Sequence, residues 1–150
     1  TCSKAIGMAG IRLGFSVAGE KLTNALKMVK SPYNTDSISQ KLGETVFGMK
    51  SVITEKTAEI INRNKFLLSE MKRLQGKHSL IFKTVYESVT NFVFIKTDYY
   101  SEIFYALMEK SIIVRKFNGY IRINTGSVSE NTILINALEE ILFKIEEGLK

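Results

Sequence analysis

Three side chains near the start of the sequence carry groups that could hold and attack a phosphorylated aldehyde. Ser3 and Lys4 stand together in TCSKAIGMAGIRLGF, and Arg12 follows eight residues after Lys4. A lysine amine in an apolar pocket beside a second cation loses proton affinity and becomes a nucleophile for a carbonyl carbon. A guanidinium and a hydroxyl donate to phosphate oxygens. The pattern indicates a site for pyridoxal phosphate, while an ordinary surface lysine stays open on spacing alone.

Two further arginines lie in apolar runs near the end of the sequence. Arg115 belongs to IIVRKF, and Arg122 belongs to YIRINTG. Side chains alternate between the two faces of a strand, so Arg122, between two isoleucines, is predicted to face away from the core. A guanidinium there either binds an anion in a bidentate manner or points to solvent. Both interpretations stay open for each arginine.

Composition and charge indicate where the protein is located and which kinds of partner it binds. The chain has 150 residues, one cysteine (Cys2) and a formal net charge of +6. One cysteine suits a reducing compartment and no apolar run approaches about 20 residues, so we predict a cytoplasmic protein. The charge favours anionic partners, but the lysines are scattered, which is more typical of a solvated surface than of a nucleic-acid groove. His78 has no carboxylate or cysteine at ligand spacing, so we predict a surface histidine and no metal site.

Hydrophobic periodicity predicts the elements that position these residues. The spacing of apolar residues predicts helices over 20–30, 37–74 with an interruption near Gly48, 101–111 and 127–150. Runs rich in β-branched and aromatic residues predict strands over 13–18, 84–88, 91–97, 112–117 and 120–126. Asn118 and Gly119 predict a hairpin turn, and Ser127 with Glu130 predicts a capping box. The second half therefore indicates an α+β domain with helices on one face of a sheet.

The opening stretch resembles a motif of the fold-type-I pyridoxal-phosphate aminotransferases, S-K-x-x-x-x-A-G-x-R-x-G-[FY]. The resemblance is strongest to the histidinol-phosphate aminotransferase group. It extends through KMVKSPYNTDSISQ, NFVFIKT, SIIVRKF and YIRINTGSVSEN, which are similar in order to further segments of that group. The chain is thus expected to be the C-terminal half of such an enzyme, beginning just before the catalytic lysine.

The resemblance implies a role for each candidate residue. Lys4 would be the Schiff-base lysine and the group that moves the proton at the substrate, while Ser3 and Arg12 would bind the phosphate of pyridoxal 5'-phosphate. Arg122 would hold the anionic end of the substrate with help from Arg115, whose role the short KFNGYI stretch leaves open. The implied reaction is transamination of histidinol phosphate with 2-oxoglutarate, in histidine biosynthesis. Alternatives are an aromatic aminotransferase, a phospho-amino-acid decarboxylase on the same scaffold, or a non-catalytic basic binding module.

The resemblance also implies the architecture, an α/β fragment in three parts. Residues 1–48 would end the large cofactor-binding domain, 49–76 would form a long interdomain helix, and 77–150 would form a small α+β domain. The family's other cofactor-holding residues precede the lysine, so we expect this chain alone to be inactive. A homodimer is implied, with no nucleic-acid or membrane partner.

Overall fold

The computed structural model describes residues 2–4 and 6–149. The chain divides into two compact units, Thr1–Ala58 and Glu59–Lys150, with the boundary inside a long helix. The division into three domains at 48 and 76 stays a prediction. Within the described residues, each helix is too short or too polar to cross a lipid bilayer. The same residues contain no cluster of metal-ligating side chains.

The first unit consists of an opening loop followed by helices. A 3-10 turn spans Ala9–Ile11, α1 spans Glu20–Val29, and α2 spans Ser37–Gly48. The Asp36 carboxylate caps α2 by accepting from the Ser39 amide at 2.8 Å, which satisfies one of the free N–H groups at a helix start. The same contact, through the Ser39 side chain first and then its backbone, lowers the pKa of Asp36.

A one-residue break at Met49 separates α2 from α3, which spans Lys50–Lys77. The break lies beside the glycine at which the sequence predicts an interruption. The buried side chains of α3, Asn64, Leu67, Met71 and Leu74, all belong to the second unit. Their spacing of three and four residues places them on one face of the helix.

The second unit is an antiparallel sheet with helices. Its strands are β1 (Thr84–Val85), β2 (Phe92–Lys96), β3 (Arg115–Phe117) and β4 (Tyr120–Asn124), in the order β1-β2-β4-β3. Helix α4 spans Tyr100–Glu109 and α5 spans Val128–Glu147. The predicted capping box of α5 is present, with both of its reciprocal contacts. Gly119 forms the β3–β4 turn with φ of +77°, a conformation that glycine adopts without strain.

One face of the sheet supplies the core of this unit. Val93 and Ile95 of β2 and Ile121 and Ile123 of β4 are buried in a cluster with apolar residues of α3, α4 and α5. Because side chains alternate along a strand, the intervening residues of β2 and β4 lie on the opposite face. That opposite face carries Arg122.

Two expectations from the sequence are wrong. Residues 13–18 form no strand. An extended segment needs a second strand for its backbone groups, and the described residues of the first unit contain none. His78 is buried, with 9% of its surface exposed, because it follows the end of α3 and packs near α5. Its Nδ1 lies 2.9 Å from Oε2 of Glu146, but not in hydrogen-bonding geometry.

Candidate functional site

The loop that carries Ser3, Lys4 and Arg12 is closed by its own backbone. The Cys2 amide donates to the Leu13 carbonyl at 3.2 Å, and the Met8 amide donates to the Cys2 carbonyl at 3.1 Å. The side chains of Cys2 and Met8 are buried. The two ends of the loop are thereby held side by side.

Helix α2 fixes this loop from one side. The Ser39 hydroxyl donates to the Ile11 carbonyl at 2.9 Å, and the Phe15 ring meets Phe47 edge-on with centroids 5.4 Å apart. A Cβ atom at Gly43 would lie 2.2 Å from a methyl group of Leu13, so a larger residue there would require the Leu13 side chain to move. The candidate residues are therefore mounted on a loop that is packed against a capped helix.

The loop displays all three candidate side chains, but not in the buried pocket that its apolar sequence predicts. Ser3 is half-buried, whereas Lys4 and Arg12 are exposed. Arg12 adopts the left-handed conformation with φ of +56°, and its Nη1 donates to the Ala9 carbonyl at 3.0 Å. Among the described residues no carboxylate pairs with Lys4 or Arg12. The Lys4 amine and the Arg12 guanidinium of one small loop are thus exposed to an anionic ligand, and Ser3 lies directly beside Lys4 in the chain.

Arg115 and Arg122 face each other directly across β3 and β4. They are register partners, and Arg122 is also the register partner of Phe94 on β2. Arg115 is exposed and Arg122 is half-buried. Opposed like charges destabilise an antiparallel pair, and within residues 2–4 and 6–149 neither arginine has a carboxylate partner. The Arg122 Nε atom is buried and finds no hydrogen-bond acceptor there.

Aromatic side chains lie on the same face of the sheet as this arginine pair. The Phe92 ring lies under the Arg122 guanidinium, with its centroid 5.2 Å from Cζ. Phe94 and Tyr120 stack with centroids 5.0 Å apart and an angle of 11° between the rings. Phe117 and Tyr86 complete this aromatic cluster, which we define as Tyr86, Phe94, Phe117 and Tyr120. Partial burial, followed by the proximity of Tyr120, raises the pKa of Tyr86.

Sequence reasoning missed Phe92, whose ring contacts Arg122, and the aromatic cluster on the same sheet face. The signal was present in the strand alternation, because Phe92 and Phe94 alternate with the buried Val93 and Ile95 just as Arg122 alternates with two isoleucines. The loop with Ser3, Lys4 and Arg12 belongs to the first unit, and the arginine pair belongs to the second. The structure brings the members of each group together within its own unit.

Comparison with known proteins supplies the family. The sequence profile of the aminotransferases of class I and II matches residues 1–138. The histidinol-phosphate aminotransferase of Ruminiclostridium cellulolyticum is 35% identical over 149 residues, which cover 95% of this chain and 40% of that protein. The corresponding protein of Pyrococcus furiosus is 33% identical over 146 residues, with 95% and 39% covered. The chain thus spans about two fifths of the length of these relatives.

Solved structures show the same fold. A putative aminotransferase from Burkholderia pseudomallei superposes with a TM-score of 0.81 at 23% identity, covering 94% of this chain and 43% of that one. The histidinol-phosphate aminotransferase of Sinorhizobium meliloti in complex with pyridoxal-5'-phosphate gives a TM-score of 0.75 at 24% identity, with 97% and 40% covered. These likenesses confirm the predicted fold, that of a part of a fold-type-I aminotransferase. The chain belongs to the class I and II aminotransferases.

Proposed function

We propose that the protein containing this chain is a pyridoxal-phosphate-dependent aminotransferase that transfers an amino group between histidinol phosphate and 2-oxoglutarate. The observation that carries the proposal is the pair Arg115 and Arg122, directly opposed on neighbouring strands without a carboxylate among the described residues. An anion that accepts hydrogen bonds from either guanidinium, or from both, would stabilise this pair of cations. The names of relatives at 33–36% identity support histidinol phosphate as that anion's source.

The first unit carries part of the donor set that the cofactor requires. Lys4 presents a primary amine, and Ser3 and Arg12 present donors for phosphate oxygens on the same backbone-closed loop. These residues fit pyridoxal phosphate chemically, with Lys4 toward the aldehyde and the other two toward the phosphate. The bound cofactor would supply an electron sink for the charge that develops at the substrate Cα. The Nζ atom of Lys4, once unprotonated, would take the proton from that Cα, the deprotonation on which amino transfer depends.

The arginine pair suits a reaction that alternates between two anions. Histidinol phosphate ends in a phosphate and 2-oxoglutarate ends in a carboxylate, so one cationic site must accept both. A guanidinium stays charged at any pH at which the enzyme works, and its planar fork matches either group. Holding the anion orients the rest of the substrate, and such positioning lowers the barrier without new chemistry.

Kinetics on the full-length protein test the proposal. We expect turnover of histidinol phosphate with 2-oxoglutarate to exceed turnover of phenylalanine, and Lys4→Ala to abolish it. Lys21→Ala is the matched control, because Lys21 is an exposed lysine of α1 in the same unit. Borohydride reduction followed by peptide mapping should find a pyridoxyl group on Lys4. Retained turnover in Lys4→Ala would refute the assignment, and release of CO2 from a phosphorylated amino acid without amino transfer would indicate a decarboxylase.

Substitution at the arginines tests the substrate site separately. Arg122→Gln is expected to raise KM for both histidinol phosphate and 2-oxoglutarate, because one site accepts both anions. A rise for only one of them would contradict the shared site. We expect the 150-residue chain alone to be inactive, and the homodimer and the cytoplasmic location stay predictions.

A further inference from the structure

We propose that Phe92 is a positioning residue for Arg122: its ring face holds the guanidinium in place while leaving the charge available to an anion. The inference rests on the proposed anion-binding role of Arg122. It concerns a contact between two side chains that lie on one face of the sheet.

The geometry is that of a cation–π contact. The Arg122 Cζ lies 5.2 Å from the Phe92 ring centroid, inside the limit of about 6 Å for such contacts. Phe92 is the register partner of Asn124, two residues after Arg122 on β4. It is therefore a diagonal neighbour of Arg122, a position from which a long side chain reaches an aromatic ring.

The backbone that carries the ring is fixed on both sides. The Thr125 amide donates to the Asn91 carbonyl at 2.9 Å, which joins the end of β4 to the residue before Phe92. The Phe92 carbonyl accepts from the Ser88 hydroxyl at 2.6 Å and from the Thr90 hydroxyl at 3.3 Å. The ring is thus mounted on backbone with little freedom to shift.

The Arg122 Nε–H group is a buried donor that needs a partner. It is buried without an oxygen acceptor among the described residues, and a buried donor left unpaired is destabilising. The electron-rich face of an aromatic ring is a weak acceptor for an N–H group. We therefore expect the Phe92 ring, which contacts this guanidinium, to offset part of that cost without adding a negative charge.

Arg73, in the same unit, shows how an arginine is held when carboxylates rather than a ring support it. The Arg73 guanidinium is held by carboxylates, with Nε 2.8 Å from Glu70 and Nη1 2.7 Å from Glu139. Those contacts fix Arg73, and the carboxylates balance its positive charge. They also raise the pKa of Arg73, with the Glu139 hydrogen bond as the largest cause and the Glu70 hydrogen bond as the next. A neutral ring fixes Arg122 and leaves its charge intact. An arginine that must receive an anionic ligand requires the second kind of support.

The test uses the full-length protein and two anionic probes, inorganic phosphate and glutarate. Phe92→Leu is expected to weaken binding of both by about three- to thirtyfold, the loss given by a cation–π contact. Phe92→Tyr keeps a ring and should bind as the wild type does. Phe117→Leu is the matched control, because Phe117 lies on the same sheet face but contacts the Phe94 ring. In kinetics, Phe92→Leu should raise KM with little change in kcat, as expected for lost uniform binding.

Arg122→Gln separates the two possible failures. If Arg122→Gln binds both probes as the wild type does, the proposed anion site is wrong and the inference falls with it. If Arg122→Gln weakens binding and Phe92→Leu does not, only the role of Phe92 is refuted. Should Phe92→Leu fail to fold, the NMR shifts of the Arg122 side-chain protons decide. An upfield ring-current shift, retained in Phe117→Leu, supports the contact, and its absence overturns the inference.

Discussion

Replacing Arg115 by glutamate should strengthen the sheet while it destroys the proposed anion site. Arg115 and Arg122 are direct register partners on β3 and β4. Like charges in that position destabilise the strand pair, and opposite charges stabilise it. Arg115→Glu therefore converts a repulsive pair into an attractive one while leaving the backbone hydrogen bonds in place.

The size of the effect follows from the register. Directly opposed residues have Cβ atoms about 4.5–5.5 Å apart, and two unit charges about 5 Å apart in water interact by about 0.8 kcal/mol. Changing the sign of the interaction shifts stability by about twice that amount. Arg115 is exposed, so solvent and salt reduce the gain to about 1 kcal/mol. That gain corresponds to about fivefold slower opening of the strand pair.

Hydrogen exchange of the β3 and β4 amides measures this gain in the full-length protein. We expect exchange in Arg115→Glu to be slower at low salt and to approach wild-type rates at about 1 M salt, where the screening length is about 3 Å. Lys116→Glu is the control from the same strand, because the Lys116 Nζ lies 4.2 Å from the centroid of the Tyr105 ring and its loss should destabilise. Unchanged or faster exchange in Arg115→Glu at low salt would refute the reasoning.

Three further outcomes follow from the fold. Leu138→Ala removes a fully buried side chain of α5 and should lower the free energy of unfolding by about 2–5 kcal/mol, whereas exposed Phe143→Ala should change it by less than about 1 kcal/mol; denaturant titration compares them. Gly119→Ala should cost about 1–2 kcal/mol through its positive φ alone, since a Cβ there has open space, and a melting temperature equal to wild type would contradict this. The Arg73 hydrogen bond lowers the pKa of Glu139 below 4.5, so its stabilisation is present above about pH 4.5 and is lost as pH falls through the folded pKa; denaturation midpoints against pH should show a smaller acid loss for Glu139→Gln.

The secondary structure of the second unit could be predicted because its local signals agree with its tertiary contacts. The Ser127 and Glu130 capping box begins α5, and the Gly119 turn joins β3 to β4 as the sequence predicts. Residues 13–18 have the composition of a strand but no strand partner, and composition does not reveal whether a partner exists. The sequence predicts that His78 lies at the surface, but packing between the end of α3 and α5 buries it.

The candidate site likewise has one part that the sequence predicts and another that it does not. The placement of Arg122 on the face opposite to Ile121 and Ile123 depends only on alternation, which the sequence contains. The contact with Phe92 depends on which residue of β2 lies beside which residue of β4, and 23 residues separate the end of β2 from the start of β4. Alternation gives the face of each residue but not the register between strands, so the partner of Arg122 could not be named before the structure.

The surroundings of the arginines explain why one sheet face suits an anion. On the buried side, the strands need apolar residues for the core, and Val93, Ile95, Ile121 and Ile123 provide them. On the other side, a carboxylate next to Arg122 would hold it equally well but would repel a phosphate or carboxylate ligand. The Phe92 ring there contacts the guanidinium, and the neighbouring aromatic rings cover the strands without adding charge. The same residues that stabilise the exposed sheet face therefore keep two opposed cations unneutralised, and such a pair is stabilised when an anion binds.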